Sequence, residues 1–300
     1  MLSSAVWAGL TPLSTAHSCT SLSPPAISVK DALTAIGYLG DTPCSHASIP
    51  IAAHFELHIE QGPILESTGA KIGIVTGAQA YRWFTVHIRG QSSHTGTTPL
   101  DARRDALVAA AKMILLSQRV AAKHSSLAST GVIEAFPGSV NSVPGEVKFS
   151  LDIRGATDVF VEEMEEDIRS GFAAIANGED VDGLGTRHLK PLPVELEIKE
   201  DSISPAISFH EDCIRCVSES AAHLFGESFS ARTRKMVSGA GHDSVMTSRV
   251  CPTSMIFVPS KDGISHNPKE YTSPEDCALG AQVLLGAVIR YDRLRAGRES

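Results

Sequence analysis

The chain has 300 residues, of which 42% are hydrophobic and 20% charged, with a formal net charge of -8 and six cysteines. This length suits one large domain or two smaller ones, and the composition is that of an ordinary globular protein. The acidic balance argues against a nucleic-acid partner, and the lack of any apolar run of 18 residues argues against a membrane span. Six scattered cysteines do not form a disulfide framework, so we expect a soluble, cytoplasmic protein.

The first fifty residues are rich in Ser, Thr, Pro and Ala, with one short helix expected at KDALTAIGYLG. The first clear strand is HFELHIE at 54–60, where alternation gives an apolar face made of Phe55, Leu57 and Ile59. The opposite face carries four ionisable side chains, His54, Glu56, His58 and Glu60. Such a face is either solvated or part of a site, and histidine with carboxylates at a strand end suits zinc.

From residue 80 to 199 the pattern predicts a β-α-β-β-α-β order, which is a ferredoxin-like unit. The strands are expected at 82–89, 130–136, 146–154 and 194–198. The first helix starts near Asp101, with an apolar face expected to consist of Leu107, Ala111, Ile114 and Leu115. The second helix buries Val161, Met164, Ile168, Phe172 and Ile175, at steps of three and four residues. We therefore predict an inserted domain at 79–199, with 1–78 and 200–300 forming a second domain.

The C-terminal flank alternates a helix at 205–225, a strand at 253–259 and a helix at 273–295, as an α/β layer does. The last helix has Ser273 as N-cap, with Pro274 and Asp276 in its first turn. A Cys-x-x-Cys pair, Cys213 and Cys216, lies within the first of these helices. Because the two residues share a helix face and no second pair exists, packing is favoured over redox or zinc chemistry.

Three further segments could carry chemistry. In SGAGHDS, His242 and Asp243 lie among small residues, which indicates either an anion site or a capped helix start. SKDGISHN directly follows a strand, where ligands usually bind in open α/β sheets. His94, in the loop GQSSHTGTTP, is joined by Asn141 and by Arg154, which is either a surface ion-pair partner or a carboxylate ligand. The chain has no phosphate-binding glycine loop and no G-x-S-x-G elbow.

Six segments occur together and in order, namely FELHIEQGP, GQSSHTGTTP, SVNSVPGEV, LDIR, SGAGHDS and SKDGISHN. With them the chain resembles the N-carbamoyl-L-amino-acid hydrolase, β-alanine synthase and allantoate amidohydrolase family, within the zinc aminoacylase and carboxypeptidase superfamily. The residues of these segments are most similar to those of the β-alanine synthase (β-ureidopropionase) type. The resemblance implies a partial zinc-peptidase-like α/β catalytic domain with an inserted ferredoxin-like domain, which serves as lid and dimerisation domain of a homodimer.

The resemblance also implies roles for individual residues. His58 and His266 would each bind one of two divalent metals, expected to be zinc, with manganese or cobalt as alternatives. His94 would stabilise the oxyanion at the carbamoyl carbon, across the dimer. The substrate would be bound by Gln61, Asn141, Arg154 and His242. The implied reaction cleaves an N-carbamoyl amino acid, such as N-carbamoyl-β-alanine, to the amino acid, ammonia and carbon dioxide.

The chain departs from the family pattern upstream of FELHIEQGP. Family members have there a His in an H-x-D-S segment, a bridging Asp and a Glu-Glu pair, whereas residues 1–53 contain no H-x-D and no glutamate. We expect an incomplete metal site, because zinc enzymes use at least three protein ligands. Three alternatives stay open: a fragment of an active enzyme, an inactive homologue that dimerises or binds, and an enzyme that recruits His242 and Asp243. An aminoacylase or carboxypeptidase is disfavoured, since those enzymes usually have a carboxylate where His58 stands.

Overall fold

The computed structural model describes residues 1–21, 24–181, 183 and 191–299. The chain forms two compact units. The first unit combines Met1–Ala78 with Ile207–Ser300, and the second consists of Gln79–Ala206.

Along the described residues, helices separate single strands or runs of strands. The strands are β1 (His54–Ile59), β2 (Ile72–Ala78), β3 (Ala80–Arg89), β4 (Ser93–His94), β5 (Leu127–Ser129), β6 (Ile133–Phe136), β7 (Ser142–Val143), β8 (Glu146–Gly155), β9 (Glu195–Ser204), β10 (Ile207–Ser208), β11 (Thr233–Ser238) and β12 (Thr253–Val258). The helices are α1 (Leu2–Trp7), α2 (Leu13–Ser18), α3 (Val29–Ala35), α4 (Ile64–Thr68), α5 (Ala106–Lys123), α6 (Asp158–Ala176), α7 (Glu211–Phe225), α8 (Phe229–Arg232), α9 (Asp243–Thr247) and α10 (Pro274–Glu299).

The first unit is built on a mixed sheet. β1 is parallel to β12, β12 is antiparallel to β2, and β2 is parallel to β11 and antiparallel to β10. Helices α7 and α10 pack together and against this sheet, and the apolar face of β1 belongs to the same core. β12 is buried along its whole length, as a central strand covered on both faces should be.

Two expectations for the flanking helices are confirmed. Ser273 Oγ accepts a hydrogen bond from the Asp276 amide at 3.1 Å and donates to the Asp276 carboxylate at 2.9 Å, so α10 starts where the capping pattern predicts. Cys213 and Cys216 are buried on α7, and burial raises the pKa of the Cys213 thiol to about 12. That thiol is therefore a packing group.

The second unit has the predicted β-α-β-β-α-β order. Its antiparallel sheet runs β9-β3-β8, with both β5 and β6 on the far side of β8, which is the strand order of a ferredoxin-like unit. β4 and β7 form a separate two-stranded ladder. The predicted core of α6 is confirmed, since its five apolar positions are all buried, and alternate residues of β3 and β8 pack against them.

The predicted apolar face of α5 is correct at Ile114, which packs against the core, and wrong at its other three positions. Leu107 and Leu115 are exposed, whereas Ala106, Ala110 and Met113 are fully buried. Small alanines let the helix approach the sheet closely, and a ranking by side-chain hydrophobicity misses them. The helix also begins at Ala106, after a separate 3₁₀ turn at Leu100–Ala102.

Other element boundaries differ as well. The strand expected at 130–136 is present only as β6, from Ile133 to Phe136, and the unpredicted β5 precedes it at Leu127–Ser129. β9 continues to Ser204, so residues 200–206 group with the second unit. β11, with the sequence TRKMVS, was not predicted because its alternation is weak. Within the part of the chain that the structure describes, no helix combines the length and apolarity needed to cross a bilayer.

Phe172→Ala should strongly destabilise the second unit. The Phe172 ring is fully buried, with its centroid 6.2 Å from that of Phe149, so truncation leaves a cavity that costs about 3–5 kcal/mol of unfolding free energy. Phe160→Ala on the same helix is the control, since Phe160 is exposed and its loss should cost about 0.5 kcal/mol. Urea unfolding followed by circular dichroism measures both, and equal losses would contradict this account of the core.

Candidate functional site

The polar face of β1 lies beside the segment that leads into α9. Glu56, His58 and His242 each offer a ligand atom, and the three atoms lie within 4.8 Å of one another. The His58 and His242 rings meet edge to face, with centroids 4.7 Å apart. The buried ring of Phe257 flanks both imidazoles, so one side of the group is apolar.

The orientation of His58 is fixed by its own backbone. Nδ1 lies 2.8 Å from the carbonyl oxygen of Ile59. Because a carbonyl oxygen can only accept, Nδ1 must carry the proton, and the lone pair of the neutral ring is on Nε2. A histidine held in this way by a carbonyl is oriented as metal-binding histidines commonly are.

Glu56 is held by the start of α9. Its Oε2 accepts hydrogen bonds from the Ser244 amide at 2.9 Å and from Ser244 Oγ at 2.6 Å. His54, two residues earlier on β1, places Nδ1 3.1 Å from Thr247 Oγ1 and outside the three-ligand group. Glu60 also has a structural role, because its carboxylate accepts from the amides of Ile64 and Leu65 and caps α4.

His242 is buried, with Nε2 2.8 Å from Ser238 Oγ. Burial, reinforced by the neighbouring His58, lowers the pKa of His242 to about 4. Burial also lowers the pKa of His54. At neutral pH the His242 imidazole is therefore uncharged and has a lone pair available. Asp243, beside it, accepts from Ser4 Oγ at 2.5 Å and is not part of the three-ligand group.

The donor set fits a divalent metal. Two neutral imidazoles and one carboxylate are a recurrent protein ligand set of catalytic zinc, which keeps a fourth position for water or substrate. Both Glu56 and His58 have one ligand atom fixed by hydrogen bonds and a second atom, Oε1 and Nε2 respectively, that can face a cation. The same donors suit manganese and cobalt, so they do not define the metal.

A second polar group follows the C-terminal ends of β1 and β12. Gln61 Nε2 donates to Ser265 Oγ at 2.8 Å, and the carboxylate of Glu270 accepts from Ser265 Oγ and from the His266 amide. The structure thus brings predicted residues Gln61 and His266 onto adjoining loops. The exposed His266 is not part of the three-ligand group, and its role as a metal ligand stays a prediction.

In the second unit, His94 and Asn141 are neighbours. His94 pairs with Ser142 across the β4–β7 ladder, and the Asn141 carbonyl accepts from the Thr95 amide at 3.0 Å. The Gly96 amide donates to His94 Nδ1 at 3.1 Å. A neutral His94 therefore carries its proton on Nε2, and presents an N–H donor there.

Arg154 lies at the opposite end of the sheet from this pair. Its guanidinium contacts the Asp152 carboxylate at 2.6 Å and stacks 5.4 Å from the Tyr81 ring centroid. β8 runs from Glu146, beside the β4–β7 ladder, to Gly155, and strands rise about 3.3 Å per residue. Glu146 and Arg154 are thus about 26 Å apart along β8. The β4–β7 ladder continues the β3–β8 pairing beyond Glu146, so Asn141 and Arg154 of one chain are too far apart for a single carboxylate to contact both.

Glu56 is the site residue that the sequence analysis did not assign. The alternation of β1 placed it on the polar face with His58, and that signal alone could have selected it. The proximity of His242 could not be read from sequence, because it depends on how the loop after β11 returns to β1.

The first unit is an α/β unit in which Glu56 and His58 lie on β1 and His242 precedes α9. Along the chain it is interrupted by the second unit, which has a ferredoxin-like strand order. Residues 31–290 match the model of peptidase family M20/M25/M40, and the chain belongs to this family.

Several relatives of the chain are named amidohydrolases. The chain is 35% identical over 295 residues to an N-carbamoyl-L-amino-acid amidohydrolase of Rhizobium meliloti, covering 96% of this chain and 65% of that protein. It is 33% identical over 238 residues to an allantoate amidohydrolase of Bacillus subtilis, covering 78% and 53%. A crystal structure of a hydantoinase/carbamoylase family amidase from Burkholderia multivorans superposes with a TM-score of 0.79 at 38% identity, covering 95% and 65%. The chain thus spans between about half and two thirds of these relatives.

The low pKa of His242 should make metal-free protein less stable in mild acid. Since its pKa of about 4 lies below the usual 6.5, the folded state binds fewer protons than the unfolded chain between these values. The free energy of unfolding should therefore fall as pH is lowered from 6.5 to 4, and His242→Gln should reduce this slope. His54 acts in the same direction, so part of the slope should persist.

Urea unfolding at a series of pH values, with a chelator present, measures this dependence. His223→Gln, at an exposed position of α7, is the control and should leave the slope unchanged. Identical pH profiles for His242→Gln and the parent protein would contradict a buried neutral imidazole.

Proposed function

We propose that the chain carries the active-site elements of a metal-dependent hydrolase of linear, non-peptide C–N amide bonds. The substrate is an N-carbamoyl (ureido) amino acid such as N-carbamoyl-β-alanine, and the products are the amino acid, ammonia and carbon dioxide. The observation that carries the proposal is the group of Glu56, His58 and His242, in a chain that has relatives named amidohydrolases.

Glu56, His58 and His242 would hold the metal, with His266 as the further ligand implied by the family resemblance. A divalent ion of the zinc type lowers the pKa of bound water and polarises a carbonyl, which a poorly electrophilic carbamoyl group requires. The buried Phe257 ring keeps one side of the ligand group dry, which strengthens electrostatic interactions there. The Ile59 carbonyl and Ser244 hold the two β1 ligands, so little reordering is needed on binding.

The second unit would supply the groups that bind the organic substrate. The Nε2–H of His94 would donate to the oxygen that becomes negative at the carbamoyl carbon. Arg154 would bind the substrate carboxylate through its planar guanidinium, and Asn141 and Gln61 would contact the polar remainder. Asn141 lies beyond the Glu146 end of β8 and Arg154 lies near its other end, which supports a homodimer in which one chain provides Arg154 and its partner provides His94 and Asn141.

The assay is release of ammonia from N-carbamoyl-β-alanine and other N-carbamoyl amino acids by zinc-loaded protein, against release of amino acid from a dipeptide. We expect ammonia release, with loss of activity in chelator and recovery on adding zinc. Dipeptide cleavage alone would instead favour an aminoacylase or carboxypeptidase. Protein that binds no zinc and releases no product would favour an inactive, dimerising homologue.

His58→Ala should abolish stoichiometric zinc binding measured by calorimetry, because only two of the three proposed ligands in this group remain. His223→Ala, outside the site, is the control and should bind like the parent protein. Undiminished zinc binding by both His58→Ala and His242→Ala would contradict the ligand group independently of any activity.

A mixing experiment tests the shared site. His94→Ala should lower kcat by about 100- to 1,000-fold, as loss of an oxyanion donor does. Arg154→Ala should mainly raise KM. If each site uses His94 and Arg154 from different chains, mixing and reassociating the two variants should restore about a quarter of parental activity, because half of the dimers contain one intact site. No recovery on mixing would place both residues in the same chain's site.

A further inference from the structure

The Arg103 side chain forms two hydrogen bonds to the loop that follows His94. Its Nη2 donates to the Thr95 carbonyl at 2.7 Å, and its Nε donates to the Thr98 carbonyl at 2.9 Å. Arg103 is half-buried, whereas the loop residues around these carbonyls are mostly exposed. The guanidinium therefore joins two points of a short, solvent-facing loop.

Three further hydrogen bonds of this loop are made to His94, while the Thr95 amide donates to the Asn141 carbonyl. The amides of Thr97 and Thr98 donate to the His94 carbonyl at 3.3 and 3.2 Å, and the Gly96 amide donates to His94 Nδ1 at 3.1 Å. A Cβ at Gly96 would stand 3.4 Å from His94 Cε1, so the loop backbone passes close to the ring. The conformation of residues 95–98 thus sets both the tautomer and the direction of the imidazole.

Arg103 is itself anchored to rigid structure. It lies two residues before Asp105, whose carboxylate caps α5 by accepting from the Leu107 and Val108 amides. The next carbonyl, that of Arg104, accepts from the Gln91 amide at 2.9 Å, and a Cβ at Gly90 would come within 2.0 Å of it. The backbone at Gly90–Gln91 is therefore in direct contact with the backbone at Arg104. The Arg103 guanidinium connects the loop after His94 to the start of α5.

We propose that Arg103 is a positioning residue for His94, an inference that rests on the oxyanion role proposed for His94. An oxyanion donor is effective only when it is held in place before the charge develops. Arg103 does this indirectly, by fixing the turn whose amide orients the ring. A planar guanidinium bonds two carbonyls through two separate nitrogens, which a lysine ammonium reproduces only in part.

Hydrogen–deuterium exchange of the whole chain tests the proposal without reference to activity. In Arg103→Ala, peptides covering residues 94–99 should exchange about tenfold faster, because the Gly96, Thr97 and Thr98 amides lose their support. Peptides of α5 should be unchanged, and Arg103→Lys should lie between the alanine variant and the parent. Arg104→Ala is the matched control, since Arg104 donates outside this loop, to the Pro193 carbonyl at 3.4 Å.

Two results would overturn the proposal. One is unchanged exchange at 94–99 in Arg103→Ala; the other is an equal increase throughout the second unit, which would indicate a general structural role.

The kinetic readout completes the test. Arg103→Ala should lower kcat by about 100-fold with little change in KM. A displaced His94 donor weakens stabilisation of the transition state but not the binding of the substrate. Arg103→Lys should recover part of this loss, and Arg104→Ala should behave like the parent. Faster loop exchange with unchanged kcat would show that Arg103 shapes the loop without positioning a catalytic group, and would overturn the proposal. A parent protein without turnover would instead count against the proposed function, and the exchange data would still decide whether Arg103 orders the loop.

Discussion

The parallel pairing of β1 with β12 is the constraint on which the first unit depends. The ladder runs in unbroken register from His54 opposite Thr253 to Ile59 opposite Val258. Because β12 is wholly buried, its partner strand cannot slip by one residue without turning Phe55 and Leu57 out of the core. The register therefore dictates that Glu56 and His58 face the other way. It also brings the two strand ends together, which allows Gln61 to reach the loop of Ser265.

The ligand group is organised by backbone and hydroxyl contacts rather than by opposite charges. The Ile59 carbonyl orients one imidazole, Ser238 contacts the other, and Ser244 holds the carboxylate. Neutral partners leave the negative charge of Glu56 and the lone pairs of the histidines available to a cation. A lysine or arginine at any of these positions would compete with the metal for the same electrons. The arrangement is thus suited to receive positive charge.

The sequence was most informative where alternation is strict and burial is one-sided. β1, β8 and α6 were predicted with their correct faces because large apolar residues recur at one period along each of them. α5 was misread because alanine packs as a core residue without a strong apolar signature.

In the site, strand alternation could select Glu56 and His58, and the family resemblance drew attention to His242. The contact between His242 and His58 could not be predicted, since it is set by a loop whose path depends on α9 packing against β1. The separation of Asn141 from Arg154 was not predicted either. Their closeness in sequence suggested one binding pocket, but the ten-residue strand β8 lies between them and places them far apart.

The loops after β1 and β12 contain three residues, Gln61, Asp262 and His266, with φ between 55° and 58°. Side chains larger than glycine adopt this left-handed geometry at a cost of about 1–2 kcal/mol. Glycine would remove that cost at each position, but would also remove the Gln61 amide, the Asp262 carboxylate and the His266 imidazole. The chain therefore gives up conformational stability to keep these functional groups, and β-branched residues are effectively barred from all three positions. The backbone conformation alone therefore restricts which residue types can replace these three, whatever chemical role their side chains have.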